Sequence, residues 1–245
     1  MDHRSRRPLV IAHRGASGER PENTHAAFER AIALSADMIE TDLHLTRDGV
    51  VVIHHDASLA RLGAPGEIRD RNAAELAGLD ASLGAGVFES IPTLLDLLDR
   101  YAARIQFNLE LKLGESAPYD GIEARVLAAV KERGLLERML FSCFDDPVLE
   151  RLREAEPRAR LAVLVSPRRP GRVLERAARV GAEALNPHVS LVDPGWVEAA
   201  HGAGLAVYPY TANEPAEMLR LIGCQVDGII TNYPDRLRRI LDGGP

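Results

Sequence analysis

Eight short apolar runs, each leading into a stretch with helical spacing, limit what this chain can fold into. The runs open at Val10, Met38, Ile105, Met139, Arg160, Ala184, Leu205 and Gly228. A further run at 50–53 follows the turn Arg47-Asp48-Gly49 and reads as a short return strand beside 38–44. A strand that returns to its neighbour through a helix must run parallel to it. Eight such units in 245 residues match the length of a closed (β/α)₈ barrel, about 250 residues. The expected fold is therefore α/β: one (β/α)₈ TIM-barrel domain over 1–245, with a small insertion at about 57–90 after the second strand. That insertion is irregular, holding Gly63, Gly66, Gly78, Gly84 and Gly86 and one helical piece near 73–79. A doubly wound open sheet is the alternative, but the Gly-rich dinucleotide turn is missing after the first strand.

Composition narrows the function classes. Hydrophobic residues make up 46% of the chain, enough for a large core, and the formal net charge of −6 gives no broad electrostatic surface for nucleic acid or an anionic membrane. Any phosphate recognition must come from a local cluster. No apolar run approaches the roughly 18 residues that span a bilayer. The charged stretch 1–8 meets an apolar run too short for a signal-peptide core, so a cytoplasmic location is expected. Cys143 and Cys224 sit in apolar contexts and read as two buried free thiols.

In such a barrel, chemistry gathers at the C-terminal ends of the strands. In Met38-Ile39-Glu40-Thr41-Asp42-Leu43-His44, period 2 puts Glu40, Asp42 and His44 on one face. Buried carboxylates are costly without a cation. His13 and Arg14 end the first run, and His54, His55 and Asp56 end the return strand. Glu110 and Lys112 end the third run, with Asn108 of the same parity. Ser142 ends the fourth, Asn186 and His188 the sixth, Tyr210 and Asn213 the seventh, and Thr231 and Asn232 the eighth.

Glu40, Asp42 and Glu110 form an all-oxygen set, which suits Mg²⁺ or Ca²⁺ better than zinc. Three carboxylates, one divalent ion, Arg14 and Lys112 leave a single net positive charge, fit for a phosphodiester. A structural network in which Arg14 and Lys112 simply neutralise the acids is the competing reading. His13 and His55 flank the cluster from different strands, and imidazoles can act as base and acid. His54 faces the other way and reads as packing. His44 is placed at the barrel rim, and His3, His25 and His201 receive no role. A Schiff-base lysine at Lys112 is the main rival chemistry. No nucleophile elbow, Walker loop or Gly-x-Gly-x-x-Gly is present, and no signature supports Ser142 as a nucleophile.

The motifs resemble the glycerophosphodiester phosphodiesterase family. The matching pieces are Ala12-His13-Arg14-Gly15, Pro21-Glu22-Asn23-Thr24, Glu40-x-Asp42, Asp48-Gly49, His55-Asp56, Ile91-Pro92-Thr93-Leu94, Asn108-Leu109-Glu110-Leu111-Lys112, Thr211-x-Asn213 and Asp227-Gly228-Ile229-Ile230-Thr231-Asn232-Tyr233-Pro234. They stand in family order across nearly the whole chain.

The resemblance implies a metal-dependent barrel hydrolase that cleaves small-molecule glycerophosphodiesters to sn-glycerol 3-phosphate and an alcohol. It places His13 and His55 on the acid–base pair, Glu40, Asp42 and Glu110 on the metal ligands, and Arg14 and Lys112 on the phosphate contacts. Tyr210 stands where the family has a tryptophan before Thr-x-Asn, keeping an aromatic wall, and Asn213 is carried over with it as a substrate contact. The short insertion is similar to that of cytosolic members. A lysophospholipid-cleaving phosphodiesterase and a non-catalytic phosphodiester-binding barrel remain as alternatives on the same residues.

Overall fold

The computed structural model describes residues 7–244. Most of the charged N-terminal stretch, with His3, lies outside the described residues. Nine strands are described: β1 (Leu9–His13), β2 (Met38–Leu45), β3 (Val51–Ile53), β4 (Gln106–Leu111), β5 (Met139–Cys143), β6 (Arg160–Val165), β7 (Ala184–Pro187), β8 (Ala206–Val207) and β9 (Gly228–Thr231). Eight are parallel, in the order β8-β7-β6-β5-β4-β2-β1-β9, and β3 returns antiparallel along β2. The ends of this order meet. Asp227 N donates to Val207 O at 3.0 Å, and Ile230 N to Pro209 O at 2.9 Å. This is the expected (β/α)₈ barrel.

The seventh unit departs from the expected strand over 205–210. Its regular part ends at Val207, because Pro209 has no N–H to give the ladder. The chain stays extended enough for a lone parallel bridge between His188 and Tyr210.

Helices wrap the outside: α1 (His25–Ala33), α2 (Ala73–Leu76), α3 (Leu94–Tyr101), α4 (Ile122–Glu132), α5 (Asp146–Ala155), α6 (Val173–Val180), α7 (Pro194–Gly202), α8 (Pro215–Gly223) and α9 (Pro234–Leu241). Thr24 caps α1 by accepting from Ala27 N, and Thr93 closes a capping box with Asp96 at α3. None of the described helices is long and apolar enough to cross a membrane.

Strand parity sorts the side chains into two cores. Outward residues such as Val10, Ile39, Leu43, Phe107, Leu109 and Phe141 pack against the helices. Inward residues Ile11, Met38, Leu140, Ala162, Ala184, Tyr208 and Ile230 plug the barrel interior. Gly228 makes room for that plug, since a Cβ there would lie 2.8 Å from the Tyr208 ring and 3.0 Å from Ile11. Further along the same inward faces the residues turn polar, and there the site begins. The excursion between β3 and α3 has its own apolar cluster of Val52, Leu59, Ile68, Leu76, Ala81 and Ile91. Cys143 and Cys224 are buried and free.

Candidate active site

The acidic cluster follows from register. Glu40 pairs with Asn108 and Asp42 with Glu110 across β2 and β4, so period 2 points all four inward. Glu40, Asp42 and Glu110 are buried, and each offers an oxygen within 4.8 Å of the others. The described residues compensate them unequally. Lys112 Nζ lies 2.9 Å from Asp42 and 2.6 Å from Glu110. Arg14 Nε lies 3.3 Å from Asp42, and Asn23 Nδ2 donates to Asp42 at 2.7 Å. Burial works to raise the Asp42 carboxyl, but Lys112 and Arg14 outweigh it and hold it ionised. Glu40 is less well compensated. Burial, then the charges of Asp42 and Glu110, push its carboxyl well above the usual range. Glu110 is also raised, by burial against the pull of Lys112.

Arg14 sits in a left-handed turn after β1, with φ 55°, and Gly15 follows at φ 81°. A Cβ on Gly15 would lie 2.7 Å from Ala27, so only glycine lets this turn close against α1. The turn aims the Arg14 guanidinium at Asp42, and Glu22 holds it from the other side at 2.9 Å.

Both histidines are oriented by a neighbour. His13 Nδ1 is 2.6 Å from Asn232 Oδ1, so the N–H belongs on Nδ1 and Nε2 carries the lone pair. That Nε2 is 3.8 Å from Glu40. Burial, then Arg14, lowers His13 to about 4, which keeps it neutral. His55 Nδ1 is 2.7 Å from Asp56 Oδ1, which likewise leaves Nε2 free for the cavity. Asp56 is held in turn by Arg61 at 3.2 Å. Burial is the main cause of a lowered His55 as well.

Lys112 is a poor Schiff-base amine. Burial works to lower it, but Asp42 and Glu110 prevail and fix it as a cation. The rival chemistry loses its nucleophile.

These groups open into one cavity of ≈ 460 Å³, its mouth included, lined by His13, Arg14, Glu40, His55, Glu110 and Lys112 together with neutral residues from the far wall. Tyr210 forms part of that wall, its hydroxyl donating to Val165 O at 3.2 Å. Phe144 and His188 meet the Tyr210 ring edge-on.

Two residues sit differently from their sequence assignment. Asn213 does not line the cavity. Its Oδ1 accepts from Asn232 N at 3.0 Å, so it stands behind the residue that orients His13. His44 is not at an open rim: it is buried below His55, with Nε2 3.1 Å from His55 O and Nδ1 2.7 Å from the Tyr119 hydroxyl. His54 is packed inside, as its parity indicated. The supporting groups Glu22, Asn23 and Asp56 were legible only as members of short motifs, because loop residues carry no strand parity to mark their partners.

The chain matches the sequence model of the glycerophosphoryl diester phosphodiesterase family over residues 13–236. It belongs to that family. Its enzyme class follows: a glycerophosphodiester phosphodiesterase. It is 35% identical to a glycerophosphodiester phosphodiesterase of Caldanaerobacter subterraneus subsp. tengcongensis, over 96% of this chain and 98% of that one. A solved structure from Silicibacter pomeroyi superposes with a TM-score of 0.89 at 30% identity, covering 98% of this chain and 96% of that one. A phosphodiesterase of Oleispira antarctica, solved with the product sn-glycerol-3-phosphate, superposes at 0.84 with 32% identity, covering 96% and 97% of the two chains. The family fold is thus the barrel described above, and the acidic triad of this member is compatible with a divalent metal site.

Proposed function

We propose that this phosphodiesterase hydrolyses water-soluble glycerophosphodiesters, such as glycerophosphocholine or glycerophosphoethanolamine, to sn-glycerol 3-phosphate and the free alcohol. The reaction depends on a divalent cation, Mg²⁺ or Ca²⁺, and uses His13 and His55 as its acid–base pair. The observation that carries this reading is the cluster of three buried carboxylates beside two imidazoles, each held through Nδ1, with Arg14 and Lys112 at the same cavity. The product complex of the Oleispira antarctica relative supports it.

The donor set fits a hard cation: three carboxylate oxygens gathered within 4.8 Å, with no sulfur ligand among them. Glu40, Asp42 and Glu110 would hold it, where it would supply Lewis-acid polarisation of a phosphoryl oxygen. The chain's own groups do the rest. Arg14 and Lys112 are held charged and stabilise the charge gathering on the phosphoryl oxygens. One Nε2, of His13 or His55, takes the proton from the attacking oxygen, which belongs to water or to the neighbouring glycerol hydroxyl. The other ring, entering as the imidazolium with a proton on both ring nitrogens, gives its Nε2 proton to the leaving alcohol, so one ring gains a proton as the other loses one. Asn232 and Asp56 each accept the Nδ1–H of one ring, so proton exchange falls to Nε2.

The lysophospholipid alternative needs an apolar groove beside the site. In the excursion over 57–90, Leu59 and Leu76 are turned into that segment's own cluster, which leaves Leu83, Val87 and Phe88 as its exposed large apolar side chains. The decisive experiment assays a panel of glycerophosphodiesters and a lysophospholipid after chelation, then with Mg²⁺ or Ca²⁺ restored. Turnover of the soluble diesters, lost on chelation and recovered with metal, is the expected result. Faster cleavage of the lysolipid would favour the alternative. Binding of glycerophosphocholine without metal-dependent turnover would leave a non-catalytic barrel.

A further inference from the structure

The peptide that carries His55 stands just past the last main-chain bond of β3. His54 N donates to Asp42 O at 3.2 Å, and beyond it the His55 carbonyl has no main-chain partner among the described residues. Asp56 orients the His55 ring, but it is the next residue of the same loop, and its own partner Arg61 is an exposed side chain. The hold on the carbonyl is His44 of β2, whose Nε2 lies 3.1 Å from His55 O. A carbonyl only accepts, so that Nε2 carries the proton, and Nδ1 accepts from the Tyr119 hydroxyl at 2.7 Å.

Tyr119 is fixed from the other side. It belongs to the loop that leaves β4 through Lys112, and the excursion between β3 and α3 clasps that loop. Glu67 accepts from Glu115 N and Ser116 N, each at 3.1 Å, and Arg69 Nη1 donates to Ala117 O at 2.7 Å. The clasp is close: a Cβ on Gly114 would lie 2.6 Å from Ala117 O and 3.2 Å from the Glu67 carboxylate. The Arg69 guanidinium lies over the Tyr119 ring, 5.5 Å from its centre. His44 and Tyr119 are both buried and meet edge-on, and neither lines the catalytic cavity.

We propose that His44 and Tyr119 are positioning residues for the reaction: they pin the His55 carbonyl and so fix where the His55 imidazole stands against the phosphate. The proposal rests on the function given above. A ring can hold a carbonyl only while it keeps its own bearing, and a ring with one anchor can turn about its Cβ–Cγ bond. The Tyr119 hydroxyl supplies the second anchor. A misplacement of about 1 Å at a reacting group costs on the order of 10²-fold in rate, so a pin of this kind acts on turnover. It leaves substrate affinity alone, because neither side chain reaches the cavity. Through the pin the excursion over 57–90 bears on the chemistry, although it contributes no residue to the cavity lining.

The test uses the full chain. Tyr119→Phe removes one hydroxyl and keeps the ring under Arg69. It should lower kcat on glycerophosphocholine by about 3- to 10-fold, the worth of one hydrogen bond, and leave KM within about twofold. His44→Gln, which can bridge the same two partners, should keep kcat near the wild type. His44→Leu, which cannot, should lower it by about 10- to 100-fold. Adding Tyr119→Phe to His44→Leu should cost nothing further, because the hydroxyl acts through the imidazole. The readout that needs no turnover is the NMR spectrum of histidine-labelled protein. The His55 ring signals should move in Tyr119→Phe and His44→Leu and hold in His44→Gln, with those of His25 and His201 unmoved throughout. Signals of all these histidines moving together at a lower melting temperature would show a general loosening and overturn the proposal. An unmoved His55 ring with unchanged kcat in Tyr119→Phe would overturn it too, as would equal losses in His44→Gln and His44→Leu. Should His44→Leu fail to fold, Tyr119→Phe decides by itself. If the wild type cleaves no glycerophosphodiester, the proposed function falls separately, and the spectra still decide whether His44 and Tyr119 set the His55 ring.

Discussion

Glu40→Gln should separate stability from function in opposite directions. Glu40 is buried, and its strongest ionic neighbours are the like charges of Asp42 and Glu110, at up to 4.8 Å between ligand oxygens. At an effective dielectric constant of ~20, one such carboxylate pair repels by about 3.5 kcal/mol. At a pH where Glu40 is ionised, the amide removes both repulsions and the cost of burying the charge, while keeping the shape and the oxygen that accepts from Arg14 N at 3.3 Å. It also loses attraction to Arg14 and Lys112, so the net gain in the metal-free protein is of order 1–3 kcal/mol. For a chain of this size that raises the melting temperature by about 2–12 °C. A cation at 100 times its dissociation constant stabilises the wild type by about 2.7 kcal/mol. The variant, one charge short, should gain little from the same concentration. Thermal denaturation in chelator and across a Mg²⁺ or Ca²⁺ titration, with activity measured alongside, tests this. The variant should melt higher in chelator, respond weakly to metal, and lose activity by about 100-fold or more. A variant that melts lower in chelator, or that responds to metal as the wild type does, refutes the reasoning.

Other outcomes follow from the same geometry. His13→Ala and His55→Ala should each cut kcat on glycerophosphocholine by about 10²- to 10⁴-fold, and near wild-type turnover in either would remove that residue from the acid–base pair. Asp56→Asn should lower kcat while leaving the melting temperature nearly unchanged, since the Asp56–His55 contact is partly exposed; an unaltered kcat would show that Asp56 does not set the ring. His44 gives a pH signature. Burial lowers it from 6.5 to about 4, so the unfolded chain takes up this proton first, and its contribution is complete above pH 6.5 and lost as pH falls toward 4. His44→Gln, which can still donate to His55 O and accept from Tyr119, should therefore spare about 2–3 kcal/mol of the stability lost between pH 7.5 and 4.5 in urea unfolding. Identical acid limbs in the two proteins would count against a neutral buried imidazole.

The barrel was legible because its signal is local. Each βα unit carries an apolar run, a helical face and a stop, and eight repetitions leave few folds that use them all. The acidic cluster was legible for the same reason: parity within β2 and β4 puts Glu40, Asp42 and Glu110 on inward faces without any knowledge of distant contacts. Supporting contacts were not legible. His44 meets Tyr119 across 75 positions, and His13 meets Asn232 across 219. Nothing in the spacing of either pair announces them. The motif of Asn213 shows that the residue matters but not which way the side chain turns, and it turns toward the backbone just past β9. The strand over 205–210 was drawn too long because apolar alternation outweighed the missing N–H of Pro209.

That missing N–H gives Asn213 a different significance. Where β8 shortens, the wall between the seventh and eighth units is joined by few main-chain bonds, among them Ile230 N to Pro209 O and Ala212 N to Ile230 O. Asn213 extends the join with a side chain: its Oδ1 takes Asn232 N, and its own carbonyl is reached by Arg236 Nη1 at 3.0 Å. The residue acts as a stitch at the end of a seam, and the last loop of the seam carries the group that orients His13. One residue thus both joins the closing wall of the barrel and backs the group that orients one imidazole.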